Sequence, residues 1–212
     1  MPHRTFFNLS EEKRRKILEA ATKIFARTRY PAITVDSLVQ EAGIPKGSFY
    51  QYFRDKDDLY RYLFHDMGRQ KADVLHSVLE AWSGESFCSL MEHMLREGMK
   101  FENKDPQTRE LKERFLRECP QEVKLEILRD IVPDTRELFA RLIGLFIRNG
   151  TFRRDLPADL PAYILTAVVL GPDQPAPEGM EDPGDLLMGI CQLLEEAMKS
   201  GEPANSPASG KP

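Results

Sequence analysis

The sequence predicts an all-α protein. Between its Gly and Pro breaks the apolar residues recur at three- and four-residue spacing, good N-capping residues precede the runs, and no stretch alternates as a half-buried strand would. The 212 residues are 41% hydrophobic and 30% charged, an ordinary globular balance. A chain of this size buries roughly 70% of its unfolded surface, enough to fold without a disulfide or metal staple. Cys88, Cys119 and Cys191 lie far apart, too few for a disulfide framework or a zinc cluster, which reads as a reducing, cytoplasmic setting. No charged-then-apolar leader opens the chain, and its longest strongly apolar run, Ala162 to Leu170, is less than half a bilayer span. Neither secretion nor membrane insertion is expected.

The elements follow in order. Ser10 caps a first helix, Glu11 and Glu12 suit the positive end of its dipole, and Ile17, Ala21, Ile24 and Phe25 mark its buried stripe. Thr34 caps a second, two-turn helix with Val35, Leu38, Val39 and Ala42 inward, and Gly43 sits where the chain turns left-handed to leave it. Pro45 opens a third short segment, Lys46 to Phe53, with Phe49 and Phe53 one turn apart on its inner side. Longer helices are expected over 56–82, 87–103, 107–118 and 121–148, the last kinked or broken after Val132 by Pro133. Two more are expected over 158–170 and 182–199, joined by a proline-rich loop over 171–183, and the apolar-poor residues 200–212 read as a disordered tail.

Charge divides unevenly along this chain. Residues 1–62 hold twelve Lys and Arg against eight Asp and Glu, whereas the remainder holds eighteen against twenty-six. A basic head on an acidic body suits a polyanion partner, although a basic face is more often merely solvated. Two short helices separated by Gly43 and laid on a longer amphipathic one have the proportions of a helix-turn-helix, whose second helix enters the DNA major groove. With Phe49 and Phe53 inward, Lys46, Gly47, Ser48, Tyr50, Gln51 and Tyr52 point outward, and their donors suit phosphates and base edges.

The run from Thr34 to Leu59, with Lys46-Gly-Ser-Phe-Tyr-Gln-Tyr-Phe53 followed by Lys56 and Leu59, resembles the DNA-binding signature of the tetracycline-repressor (TetR) family of bacterial regulators. The resemblance covers about residues 10–62. It implies an N-terminal three-helix helix-turn-helix DNA-binding domain over 1–55 and a C-terminal helical effector-binding and dimerisation domain over 56–199. Carried over position by position, it places Lys46, Ser48, Tyr50 and Gln51 nearest the bases, and Thr34, Tyr52 and Lys56 on phosphates, with a further phosphate bond from Ser37. Pro45 stands where such proteins often carry a capping Ser or Thr, so that side-chain contact is lost. The arm with His3 and Arg4 is expected to add a groove contact.

Beyond the head the sequence supports two surfaces. Met67, Trp82, Phe87, Met91, Met94, Phe101, Phe115 and Leu116 supply large or adaptable apolar side chains for a pocket accepting an apolar or amphipathic effector, although each also suits plain core. Tyr163, Ile164, Leu165, Val168, Val169 and Leu170, with Leu186, Leu187, Ile190, Leu193, Leu194 and Ala197, make two helices apolar enough to need a partner, and a four-helix homodimer interface is expected. No nucleotide loop, HExxH, CxxC or GxSxG motif is present, and the histidines lack partners at metal spacing, so no catalytic, metal or cofactor residue is assigned. The expected function is a ligand-responsive regulator, a repressor released from palindromic double-stranded DNA by a small effector. The rivals are a constitutive DNA-binding or architectural protein, recognised by an affinity that no metabolite alters, and an enzyme on a helical scaffold, recognised by turnover.

Overall fold

Short-range chemistry starts and stops the helices. In a computed structural model, which describes residues 1–84, 86–171, 177–179 and 182–199, the helices are α1 Arg4–Phe7, α2 Glu11–Arg27, α3 Val35–Ala42, α4 Lys46–Tyr52, α5 Lys56–Ala81, α6 Phe87–Glu102, α7 Pro106–Glu118, α8 Gln121–Arg148, α9 Asp159–Leu170 and α10 Pro183–Met198. Ser10 accepts from the N–H of Lys13, and Asp105 and Asp182 cap α7 and α10 through two backbone N–H groups each. Among the described residues no strand forms, apart from one isolated bridge between Phe152 and Lys199. The expected tail over 200–212 and most of the expected loop over 171–183 lie outside the described residues.

Two elements differ from expectation. Residues 4–7 form α1 where an open arm was expected. Of the kink or break expected at Pro133, the break does not occur: α8 runs from Gln121 to Arg148 with Pro133 inside it. The missing N–H and the ring clash of a mid-helix proline cost about 3 kcal/mol, and burial on both sides of it offsets that: Ile127 is 1% exposed and Leu142 0%.

The helices pack as two units, residues 1–80 with 94–134, and residues 81–93 with 135 onward. In the first, Phe6, Ile17, Phe25, Leu38, Phe49, Phe53, Leu59, Tyr60, Leu111 and Phe115 belong to one buried cluster. α7 packs on α2, and Arg114 Nε donates to the Ala26 carbonyl at 2.6 Å while pairing with Glu110 and Glu118. A guanidinium there satisfies a carbonyl left over at the negative end of α2. The second unit centres on Phe87, Phe146 and Phe152, with ring centroids 5.3–5.6 Å apart, and packs α9 on α10. The three cysteines are free. Burial pushes the Cys88 and Cys191 thiols up to about 12 and Cys119 to about 11, which leaves them protonated at neutral pH. No helix among the described residues is long and apolar enough to cross a membrane.

Candidate nucleic-acid interface

The site is assembled from α3, the turn at Gly43 and α4. The Thr34 and Ser37 side chains close a reciprocal capping box: Thr34 Oγ1 accepts from the Ser37 N–H and Ser37 Oγ accepts from the Thr34 N–H, both at 3.2 Å. Ser37 Oγ also donates to the Thr34 carbonyl at 2.8 Å. The Ser37 hydroxyl proton is therefore committed to the cap, whereas Thr34 uses its oxygen only as an acceptor and keeps a proton to donate. Gly43 has φ 63° and ψ 35°, the left-handed geometry that turns the chain between the two helices. Pro45 stands at the N-cap of α4 in extended conformation, without a side-chain cap bond.

Phe49 and Phe53 are 1% and 0% exposed and hold α4 on the core. On its other side Lys46, Gly47, Tyr50 and Gln51 are exposed, and Ser48 is half-buried. Tyr52 is half-buried too, with its ring 6.3 Å from Phe6 and its carbonyl accepting from the His3 N–H at 2.8 Å. Thr5 Oγ1 donates to the Gln51 carbonyl. The segment before α2 is thus a brace for the end of α4, while the His3 and Arg4 side chains remain exposed.

Lys56 faces inward as well as outward. Its Nζ donates to the Tyr30 and Ile33 carbonyls, each at 3.0 Å, and lies 4.6 Å from the Tyr30 ring centroid. Two of its three hydrogens therefore fix the turn before α3. Asp57 accepts from the Tyr30 hydroxyl at 2.5 Å, and burial first, then this carboxylate, raises the Tyr30 phenol far above its ordinary range. Asp55 accepts from the Asp58 N–H at 2.8 Å and so caps α5. Burial works against the Asp55 charge, but that N–H and the Arg54 guanidinium outweigh it and lower its pKa. Asp58, 2% exposed, accepts from the Arg54 N–H and pairs with the Met1 amino group.

Sequence reasoning missed Asp36. Its carboxylate, in the first turn of α3, meets Lys46 Nζ at 2.8 Å across the mouth of the two helices. This hydrogen bond, and then the charge of Asp36, raises the Lys46 pKa. An acid two residues ahead of the Leu38–Val39 pair reads simply as a good first-turn residue, and its partner ten positions on follows only from the turn geometry.

The expected pocket residues divide between the two units. Trp82, Phe87 and Met91 belong to the second unit, and Met67, Met94, Phe101, Phe115 and Leu116 to the first. Phe115 packs 4.4 Å from Phe64 and 6.4 Å from Tyr60 in the first unit's core, while Leu116 is 45% exposed. Among the described residues no cluster of His, Cys, Asp or Glu could hold a metal ion.

A capped short helix, a left-handed glycine turn and a second helix anchored by two phenylalanines with polar side chains outward define a helix-turn-helix of the DNA-binding class. Residues 17–63 match the model for bacterial regulatory proteins of the tetR family. The HTH-type transcriptional regulator HbdR of Aromatoleum sp. is 45% identical over 51 residues, which are 24% of this chain and 22% of HbdR. The chain thus spans under a quarter of that relative's length. The HTH-type transcriptional repressor AcnR of Corynebacterium diphtheriae is 26% identical over 200 residues, 91% of this chain and 94% of AcnR. The transcriptional regulator FadR of Bacillus subtilis, solved in complex with stearoyl-CoA, shares the fold at TM-score 0.62 and 17% identity, over 87% of this chain and 98% of that one. Residues 17–63 thus match the DNA-binding region of the TetR family, and the likeness to AcnR extends along most of the chain.

Proposed function

We propose that this chain is a ligand-responsive transcriptional repressor that binds palindromic double-stranded DNA as a homodimer. The observation that carries the reading is the exposed Lys46, Gly47, Tyr50 and Gln51 face of α4, opposite two buried phenylalanines. Such a helix offers base-edge and phosphate donors on a rigid support. In functional terms residues 1–55 read DNA and residues 56–199 carry dimerisation and effector response, in a cytoplasmic protein without catalytic groups.

Two further observations support the reading. On α9 Leu160, Tyr163 and Val169 are 59%, 61% and 41% exposed, and on α10 Leu193 is 73% exposed. An apolar surface of this kind favours a twofold partner. Val168, Leu186, Ile190 and Leu194 are half-buried around it, whereas Leu165 and Leu187 are already buried within the chain. In the second unit, Trp82 Nε1 is buried without a hydrogen-bond partner among the described residues, a donor that an effector's acceptor group would satisfy. Trp82, Phe87 and Met91 are accordingly the preferred part of the effector site.

Two half-sites on one DNA face lie about 34–36 Å apart, so an effector that changes the separation of the two α4 helices prevents simultaneous docking. A coupling of about 1–3 kcal/mol weakens DNA binding roughly 5- to 150-fold, and DNA weakens effector binding by the same factor. The test is to enrich duplexes on the full chain from a random pool and titrate the winner by anisotropy with and without an acyl-CoA, the class bound by the FadR neighbour. Calorimetry with and without duplex then checks reciprocity. Enrichment of a palindrome, released by effector, supports the reading; affinity unchanged by an acyl-CoA and a wider metabolite panel favours a constitutive DNA-binding protein.

A further inference from the structure

We propose that Asp36 and Lys46 act as one reader of a G·C base pair in each half-site, Lys46 donating to the guanine O6 and N7 and Asp36 accepting from N4 of the paired cytosine. The inference rests on the DNA-binding reading above and names two side chains that would set its sequence preference. Asp36 Oδ1 and Lys46 Nζ are 2.8 Å apart, and their side chains are 71% and 53% exposed. The pair joins the first turn of α3 to the first residue of α4, on the surface that a major groove would meet. An ion pair this exposed contributes little to the fold. Its consequence is for what docks on it.

A carboxylate facing DNA is repelled by phosphates, and alone it would weaken binding to every duplex. Paired with Lys46 it is neutralised and held in place. The ammonium keeps two further hydrogens, and the carboxylate keeps further lone pairs. The pair therefore presents a donor beside an acceptor. In the major groove a G·C pair presents the reverse, the O6 acceptor beside the N4 donor, joined by their own Watson–Crick hydrogen bond of about 2.9 Å. That spacing matches the 2.8 Å between Lys46 and Asp36. Guanine N7 adds a second acceptor on the lysine side. With adenine in the guanine's place the same docking sets Lys46 against the N6 donor and Asp36 against the thymine O4 acceptor; with the pair reversed, Lys46 meets thymine O4 beside the methyl group and Asp36 meets adenine N6 beside N7, an acceptor that repels a carboxylate. The G·C pair is the better match.

Gly47 supports the close approach this needs. A Cβ built there meets nothing within 4 Å, so packing within the chain does not require a glycine. The open space lies beside Lys46, where the groove floor would come nearest.

The experiment uses the full chain, a random duplex pool, and sequencing of the enriched fraction, followed by dissociation constants for the consensus and each single-pair substitution. Wild type should select a G·C pair at one symmetry-related position per half-site, and replacing it with A·T should weaken binding roughly 5- to 150-fold. In Asp36→Ala, and separately in Lys46→Met, that penalty should fall to within about twofold at that position and persist at the others. The double variant should relax no further position. Both side chains are exposed, and coincident circular dichroism melts would show that the variants fold. Two results overturn the proposal while leaving the DNA-binding reading intact: Asp36→Ala tightening all duplexes equally with unchanged preferences, or the two variants relaxing different positions. A wild-type chain that enriches no sequence overturns both.

Discussion

Truncating Phe6 tests whether a four-residue helix really holds the end of α4. Phe6 is fully buried, with ring centroids 4.8 Å from Phe53, 5.3 Å from Tyr62, 5.6 Å from Phe7 and 6.3 Å from Tyr52. A helix as short as α1 has no stability of its own, so its place depends on this anchor and on the bonds to the Gln51 and Tyr52 carbonyls. Phe6→Ala should cost about 3–5 kcal/mol from lost transfer energy and a residual cavity. With a urea slope of about 2 kcal/mol per molar, the midpoint should fall by roughly 2 M. DNA affinity should fall for all duplexes, because the last turn of α4 loses its brace. The control is Phe7→Ala in the same helix, whose ring is 44% exposed and whose loss should cost about 1 kcal/mol. Equal midpoint shifts for the two variants, read by circular dichroism, would refute the brace.

Four further outcomes are expected. Gly43→Ala meets no steric obstacle but must hold φ near +63°, and should lower stability by about 1–2 kcal/mol in urea melts, with Gly43→Asn less affected. Gln51→Ala should relax sequence preference by roughly 1–3 kcal/mol at one position, whereas Lys56→Ala should weaken all duplexes about equally and reduce the salt slope by about one, measured by anisotropy over a salt series. Glu102 sits between Lys71 and Lys112, each at 2.5 Å; burial opposes its charge, but the two ammonium groups outweigh it and lower its pKa from 4.5. Its contribution is thus present above pH 4.5 and lost as pH falls through the lower folded pKa, so Glu102→Gln should flatten the acid limb of urea midpoint against pH. Leu193→Glu, at a 73% exposed position, should give monomers in sedimentation equilibrium with little change in helical signal, and an unchanged mass would remove Leu193 from the interface.

Much of the head was legible in sequence because its determinants are local. Ser10, Thr34 and Gly43 act within three or four residues of themselves, and all three stand where the pattern put them. The three- and four-residue spacing placed eight helices within a residue or two of their observed ends, since burial of one helical face is written in each segment separately. The outward face of α4 followed from the inward Phe49 and Phe53 in the same way, although Tyr52 leans on Phe6.

Tertiary structure decided what depends on residues far apart in the chain. α1 was invisible because four residues carry no periodicity, and Phe6 finds Phe53 and Tyr62 only after the head has folded. Apolar composition marked Phe115 and Trp82 alike, but which core each joins depends on packing: Phe115 lies against Phe64 and Tyr60, while Trp82 belongs to the other unit. Leu165 and Leu160 are equally apolar and lie on the same helix, α9, yet one is buried and the other 59% exposed. Pro133 stays helical because burial along α8 outweighs its local cost. Local propensity and periodicity thus determined which segments are helices and where most of them end. Which side chains meet, from Arg114 with the Ala26 carbonyl to Asp36 with Lys46, required the folded chain, because short-range patterns specify a helix's inward face but not its neighbour.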